Sequence, residues 1–190
     1  ARSSSLKKQS YCQLVATLPL RHVHRRYHDH HYGRPVRTDR ALLERLVLEI
    51  NQAGLSWEII LRKQTGFRRA FDGFQLERVA AYQSKDRARL LQDPAIIRHR
   101  LKIDAAIYNA RQILKLKATY GSFHAWLDQH RGSRFTTWLR LFKSTFHFMG
   151  PEIVREFLMS LGLMPGAHDR NCPQYAGRTN EKRITPSKKT

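Results

Sequence analysis

The chain has 190 residues, enough for one compact domain, and 41% of them are hydrophobic, enough for a core. Thirty-five Lys and Arg against fifteen acidic residues give a formal net charge of +20 and a pI near 10.8, a field that attracts polyanions. No apolar run approaches the about 18 residues of a membrane span, and the polar, basic first ten residues lack the apolar segment of a secretory signal.

Residues 1–11 read as a disordered basic lead, and residues 12–20 as a short, mildly apolar stretch stopped at Pro19. Segment 21–33 holds five of the ten histidines. It fits a solvated basic face, or a metal ligand with pocket aromatics, and Pro35 is expected to block a helix through it. Thr38 and Asp39 are N-cap candidates for a helix that runs to Gln52. Leu42, Leu43, Leu46, Val47 and Ile50 make its apolar stripe, and Glu49 lies at the edge of that stripe. Spacing alone favours an ordinary boundary glutamate paired with an arginine. Gly54 is a C-cap glycine, and helix restarts over 57–69 with Trp57, Ile60, Leu61 and Phe67 on its inner side. Leu48 to Trp57 thus brings together a carboxylate, a backbone break and a flat apolar wall, the parts a base-binding pocket needs.

Short helices are expected near 76–82 and 85–91, the second ending at Asp93-Pro94. A longer helix over 98–120 carries Leu101, Ile103, Ala106, Ile107, Ala110, Ile113, Leu114 and Leu116, and a short one over 123–130 is ended by Gly132. No stretch alternates with period two, so the fold class is all-α. Helices over 136–144 and 151–161 flank Phe146-His147-Phe148-Met149-Gly150, a helix-hairpin-helix pattern with Pro151 at the first helical position. The amides of Met149 and Gly150, with the helix N-terminus behind them, suit a phosphate, and Lys143, His147 and Arg155 add charge. His168-x3-Cys172 is a workable two-ligand metal arm. Cys12 and an amino-terminal histidine would complete a Cys2His2 set; otherwise Cys12 and Cys172 are two unrelated thiols, expected reduced. Residues 176–190 are polar and basic and are expected to be disordered.

These residues coincide in order with one family. Tyr27-His28-Asp29-x-x-Tyr32-Gly33, Leu48-Glu49-x-x-Gln52-Ala53-Gly54-Leu55-Ser56-Trp57 and Phe67-Arg68-x-Ala70-Phe71-Asp72-x-Phe74 come first. Ile96-Ile97-Arg98-x-Arg100-x-Lys102-Ile103, Asn109-Ala110-Arg111, Phe146-x-Phe148-x-Gly150 and His168-x3-Cys172 follow. Over residues 12–175 the chain resembles bacterial DNA-3-methyladenine glycosylase I. The resemblance implies that Glu49 contacts a flipped methylated adenine in a pocket lined by Tyr27, Tyr32, Trp57 and Gln52. It implies that Gly54 and Leu55 fill the gap in the duplex and that the hairpin near Gly150 grips the backbone. It also implies that Cys12, His28, His168 and Cys172 hold a structural zinc. Three departures stand out: Tyr32 replaces a common Trp, Leu14 replaces an aromatic, and the interval from Cys12 to Tyr27 is a few residues long. The last makes His22 and His24 alternatives to Cys12.

The implied partner is double-stranded alkylated DNA, met in the bacterial cytoplasm at the nucleoid by a monomer. N3-alkylated adenine is cationic and leaves as a neutral base, so Glu49 is read as an acceptor for the base, not a strong general acid. No lysine stands out as a Schiff-base nucleophile, so no strand-cleaving lyase step is expected. The rival readings are a non-catalytic lesion-sensing DNA module and a general basic RNA-binding protein. The first would keep the pocket without turnover, and the second leaves the ordered matches unexplained.

Overall fold

The computed structural model describes residues 9–176, which are helical with no strand among them. Short polar side chains written into the sequence set several helix starts by accepting a hydrogen bond from the first-turn backbone. Ser10 caps α1 (Tyr11–Ala16), Thr38 caps α3 (Asp39–Gln52), Ser56 caps α4 (Trp57–Ala70) and Ser122 caps α8 (Phe123–Gln129). Between them lie α2 (Val23–His30), a 3-10 turn at Asp72–Phe74, α5 (Leu76–Ala80), α6 (Ser84–Gln92) and α7 (Arg100–Tyr120). The described chain ends with α9 (Phe135–Thr145), α10 (Pro151–Ser160) and α11 (Pro173–Ala176).

α3 is the central strut. It packs against α7, α4, α10, α8 and the 3-10 turn, and from Arg45 to Asn51 every residue is buried. A helix buried on all sides needs neighbours on all sides, and α3 shares one core with the aromatic residues Phe67, Phe71, Phe74, Phe123, Trp138, Phe142 and Phe157. A smaller cluster of Tyr27, Tyr32, Leu61 and Ala167 sits apart from this core, with Trp57 packed against both.

Three expectations change. The histidine-rich segment contains a helix, α2, despite Pro35. A proline clashes with the carbonyl four residues before it, which is His31 here, so Pro35 ends a helix at His30 and does not prevent one. Tyr11, at the end of the stretch expected to be a disordered lead, opens α1, and its ring packs against Tyr32 and His28; residues 1–8 lie outside the described residues. On α7, Leu101 is 60% exposed and Lys102 takes the buried position beside it, where its ammonium reaches the end of α3. The basic tail beyond Ala176 also lies outside the described residues.

Candidate functional site

Glu49 is 5% exposed on α3, and no donor among the described residues hydrogen-bonds to its carboxylate. Burial pushes the carboxyl up to about 8, against the pull of Arg45 and with the push of Glu156. Arg45 lies one turn earlier on the same face. Its Nη1 donates to the Tyr27 hydroxyl at 3.1 Å and to the Ser160 carbonyl at 3.4 Å, and its guanidinium sits 5.2 Å from the Tyr27 ring centre. Tyr27 meets Trp57 edge-on at 5.2 Å and Tyr32 at 5.6 Å, and Tyr11 closes onto Tyr32 at 5.5 Å. The boundary glutamate of the sequence is therefore an acceptor without a donor, beside a wall of electron-rich rings.

The turn after α3 is held from below and open above. Lys102 Nζ donates to the carbonyls of Asn51 (3.1 Å) and Ala53 (2.7 Å), placing an ammonium where the helix dipole is negative. Its burial lowers the ammonium pKa. Gln52 Nε2 donates to Leu55 O at 3.4 Å, so its amide braces the turn. Gly54 has φ +82, a Cβ added there would meet nothing within 4 Å, and Leu55 is 36% exposed. The turn projects from the surface next to the Glu49 region.

Cys12, His28, His168 and Cys172 come together with all four ligand atoms within 4.8 Å of one another. His28 Nε2 lies 3.3 Å from Cys12 Sγ, 3.6 Å from Cys172 Sγ and 3.2 Å from His168 Nδ1. His168 Nδ1 is 3.8 Å from Cys12 Sγ and 3.6 Å from Cys172 Sγ. Bonds of about 2.0–2.3 Å to a tetrahedral ion give edges of about 3.3–3.8 Å, so the four donors fit one metal. The outer nitrogens are also engaged: Asp29 Oδ1 lies 2.7 Å from His28 Nδ1, and the Tyr32 carbonyl 2.9 Å from His168 Nε2. Such contacts fix the ring orientation for a metal. Gly33 belongs to this packing, because at φ +70 an added Cβ would sit 2.8 Å from Ala167 Cβ and 3.2 Å from the His168 ring. A cavity of about 570 Å³ lies on the outer side of the cluster, against residues 169–174 and away from Glu49. His22 and His24 are not part of the set: they stack on each other, with His22 near Glu58 and His24 bonded to the Tyr11 hydroxyl.

α9 and α10 pack together through residues 146–150. Phe146 and Met149 are buried anchors, while His147 and Phe148 are exposed, Phe148 at φ +60. Asn109 on α7, fully buried, grips the hairpin from inside: its Oδ1 accepts from His147 N at 2.8 Å and its Nδ2 donates to His147 O at 3.3 Å. The N–H groups of Phe148, Met149 and Gly150 donate to no acceptor among the described residues. No side chain caps α10. The His147 ring stacks on Tyr108 at 3.6 Å, the Arg155 guanidinium lies 4.2 Å from the Phe135 ring centre, and Lys143 is exposed.

The sequence profile of the methyladenine glycosylase family matches residues 19–140, well over half of the chain. The chain belongs to the methyladenine glycosylase family. It is 35% identical over 170 residues to DNA-3-methyladenine glycosylase 1 of Escherichia coli (strain K12), covering 80% of this chain and 90% of that protein. A variant of 3-methyladenine DNA glycosylase I solved in complex with 3-methyladenine superposes with a TM-score of 0.77 at 32% identity, over 87% of this chain and 97% of that one. The 3-methyladenine DNA glycosylase I of Staphylococcus aureus gives 0.76 at 31% identity, over 88% and 97%. The family profile stops before the hairpin and before His168 and Cys172, so the likeness of that region rests on these longer comparisons.

Several residues of the site are not evident from sequence. Arg45 is visible there only as some arginine near Glu49. Lys102 and Asn109 lie in segments shared with the methyladenine glycosylases, but nothing local marks them as braces. Tyr11, three residues before Leu14 on α1, packs its ring against Tyr32 and His28, while Leu14 is 41% exposed. Glu156 carries no local signal.

Proposed function

We propose that this chain is a monofunctional DNA glycosylase that extrudes 3-methyladenine from alkylated duplex DNA and hydrolyses its glycosidic bond. The observation that carries this reading is the buried Glu49 carboxylate with no donor of its own, set beside Tyr27, Tyr32 and Trp57. A largely buried acceptor with no protein donor is where the donors of a ligand gain most. The exocyclic amine of adenine supplies them, and a positive base repays ionisation of Glu49. The rings add cation–π attraction of about 1–2 kcal/mol for a desolvated cation.

In the reaction the bond from the sugar carbon to the base nitrogen breaks and its electron pair stays with the base, cancelling the base's charge. Water adds its oxygen to the sugar carbon and releases a proton to solvent. Extrusion costs a few kcal/mol, less for a damaged base. The projecting Gly54–Leu55 turn fills the vacated stack, and the open amides of Met149 and Gly150 with Lys143 and Arg155 hold the backbone phosphates. Lys102, engaged with two carbonyls, is unsuited to Schiff-base formation, in keeping with hydrolysis alone.

For the Cys2His2 cluster the proposed metal is zinc, which takes this donor set tetrahedrally and closed to substrate. Bound there, it would supply rigidity and no step of the reaction. Cys12 and His28 come from the amino-terminal helices, His168 and Cys172 from the last described segment, so the ion would brace the wall that carries Tyr27 and Tyr32.

Release of free 3-methyladenine from alkylated duplex DNA tests the reading, and retention of the base on DNA by folded protein would overturn it in favour of a lesion-sensing module. Borohydride should trap no covalent adduct with DNA. Elemental analysis should find about one zinc per chain.

A further inference from the structure

Glu49 alone does not make the pocket selective for a cation. Arg45 is buried one turn away on the same face of α3 and shares Tyr27 with it. An ionised Glu49 and Arg45 cancel, and a pocket of zero net charge gives a cationic base little Coulomb advantage over a neutral one. A second carboxylate reaches the same rings from the opposite helix. Glu156 on α10 is half-buried, and its Oε2 accepts from the Tyr32 hydroxyl at 3.2 Å. Ser160, one turn further along the same face of α10, presents its carbonyl to Arg45 at 3.4 Å. Arg45 and Glu156 thus both act on Glu49, with opposite sign.

We infer that Glu156 is a specificity residue of the base pocket: it restores the negative charge that Arg45 cancels, and so selects purines that carry a fixed positive charge while still attached to the sugar. This rests on the glycosylase reading above and names the residue that sets its preference for a positive base over a neutral one. With Glu49 and Glu156 ionised and Arg45 protonated, the group sums to one negative charge, the complement of one positive base.

The neighbours leave this balance intact. Glu152 and Arg155 flank Glu156 on α10 and act on it in opposite senses, after burial, which raises it, and the Tyr32 bond, which lowers it. Arg155 is held over Phe135, and Lys102 is taken up by the carbonyls of Asn51 and Ala53. No hydrogen bond joins Glu156 to Glu49 among the described residues. Glu156 acts through its charge and through Tyr32, which makes it a positioning and specificity residue, not a catalytic one.

The test is calorimetric titration of the full chain at about pH 9, where Glu49 is ionised, with two free bases: 3,9-dimethyladeninium, permanently cationic, and neutral 9-methyladenine. The wild type should prefer the cation by tenfold or more. Glu156→Gln keeps an acceptor for the Tyr32 hydroxyl and removes only the charge, so it should lose about tenfold of that preference. Adding Arg45→Met to Glu156→Gln returns the net charge to minus one and should recover most of the loss. An unchanged preference in Glu156→Gln, or a double variant no better than Glu156→Gln, overturns the proposal. A wild type that binds neither base overturns the pocket reading and this inference with it. Selection of the cation by both wild type and Glu156→Gln overturns the role of Glu156 alone. A second readout needs no Arg45 variant: losing a like charge lowers the Glu49 pKa, so the lower limb of the kcat/KM profile should move to lower pH in Glu156→Gln. A limb that stays in place counts against the proposal.

Discussion

Tyr27 and His28 are neighbours on α2 and face two regions that are satisfied to opposite degrees. At His28 both ring nitrogens have close polar neighbours, two cysteine sulfurs and a histidine on one side and Asp29 on the other. At Tyr27 the hydroxyl is held by Arg45, but the adjacent buried carboxylate of Glu49 has no donor. Tyr32 joins the two: its carbonyl faces His168 and its hydroxyl reaches Glu156. A donor set whose members already face one another fixes geometry and gains nothing from a substrate, whereas an acceptor with no protein donor does gain from one. The rigid region thus stands behind the reactive one and keeps its aromatic wall in place.

Breaking the satisfied region should have the largest effect. Cys172→Ser, or removal of metal with a strong chelator, should lower Tm by about 10 °C, equivalent to about 3 kcal/mol or more in a chain of this size, as read by thermal denaturation. A cluster that contributed only packing would leave Tm within a degree or two. Next comes the unsatisfied acceptor. Glu49→Gln should cut kcat/KM for 3-methyladenine release about 100-fold, about 2.7 kcal/mol, while duplex affinity stays within about twofold. Full activity would remove Glu49 from its role.

Asn109→Ala removes both bonds to His147 from a buried site and should cost about 2 kcal/mol of stability, with DNA binding weakened several-fold by a looser hairpin. Denaturant unfolding and a DNA titration would read the two effects separately.

The same Glu49→Gln change should also alter stability in a pH-dependent way. The folded pKa of Glu49, about 8, lies above its ordinary value of 4.5, so its neutral form favours the fold. That contribution is fully present below about pH 4.5 and is lost as pH rises through about 8. Glu49→Gln should therefore match wild type near pH 5 and exceed it by several kcal/mol, up to about 4–5, near pH 9, measured as the difference in unfolding free energy. A constant offset across that range would mean that Glu49 titrates normally. The smallest effect is expected at the exposed Lys143: its replacement by Ala should weaken DNA binding a few-fold and lower the salt slope by about one.

Much of the frame is legible in the sequence because its causes are local. Thr38, Ser56 and Ser122 cap helices within three residues of themselves, Gly54 turns where only a left-handed residue is comfortable, and Pro151 opens α10. Glu49, Trp57 and the His168–Cys172 pair can be singled out by spacing and resemblance. α2 escapes a reading by pattern because Val23 and Tyr27 are the only apolar residues of a basic, histidine-rich segment, and its burial comes from contacts with α1 and α4.

The chain by itself determined the helical elements, the positive charge and the residue types that a base pocket and a metal site require, since these follow from interactions a few residues long. Only the tertiary structure decided which of them meet. It chose Cys12 over His22 and His24, bringing Cys12 to His168 across 156 residues of sequence. It set Lys102 under the end of α3, Asn109 inside the hairpin and Arg45 against the Tyr27 hydroxyl. Whether a buried polar group is satisfied depends on neighbours distant in sequence, and for that reason the missing partner of Glu49 emerges only when the helices are packed together.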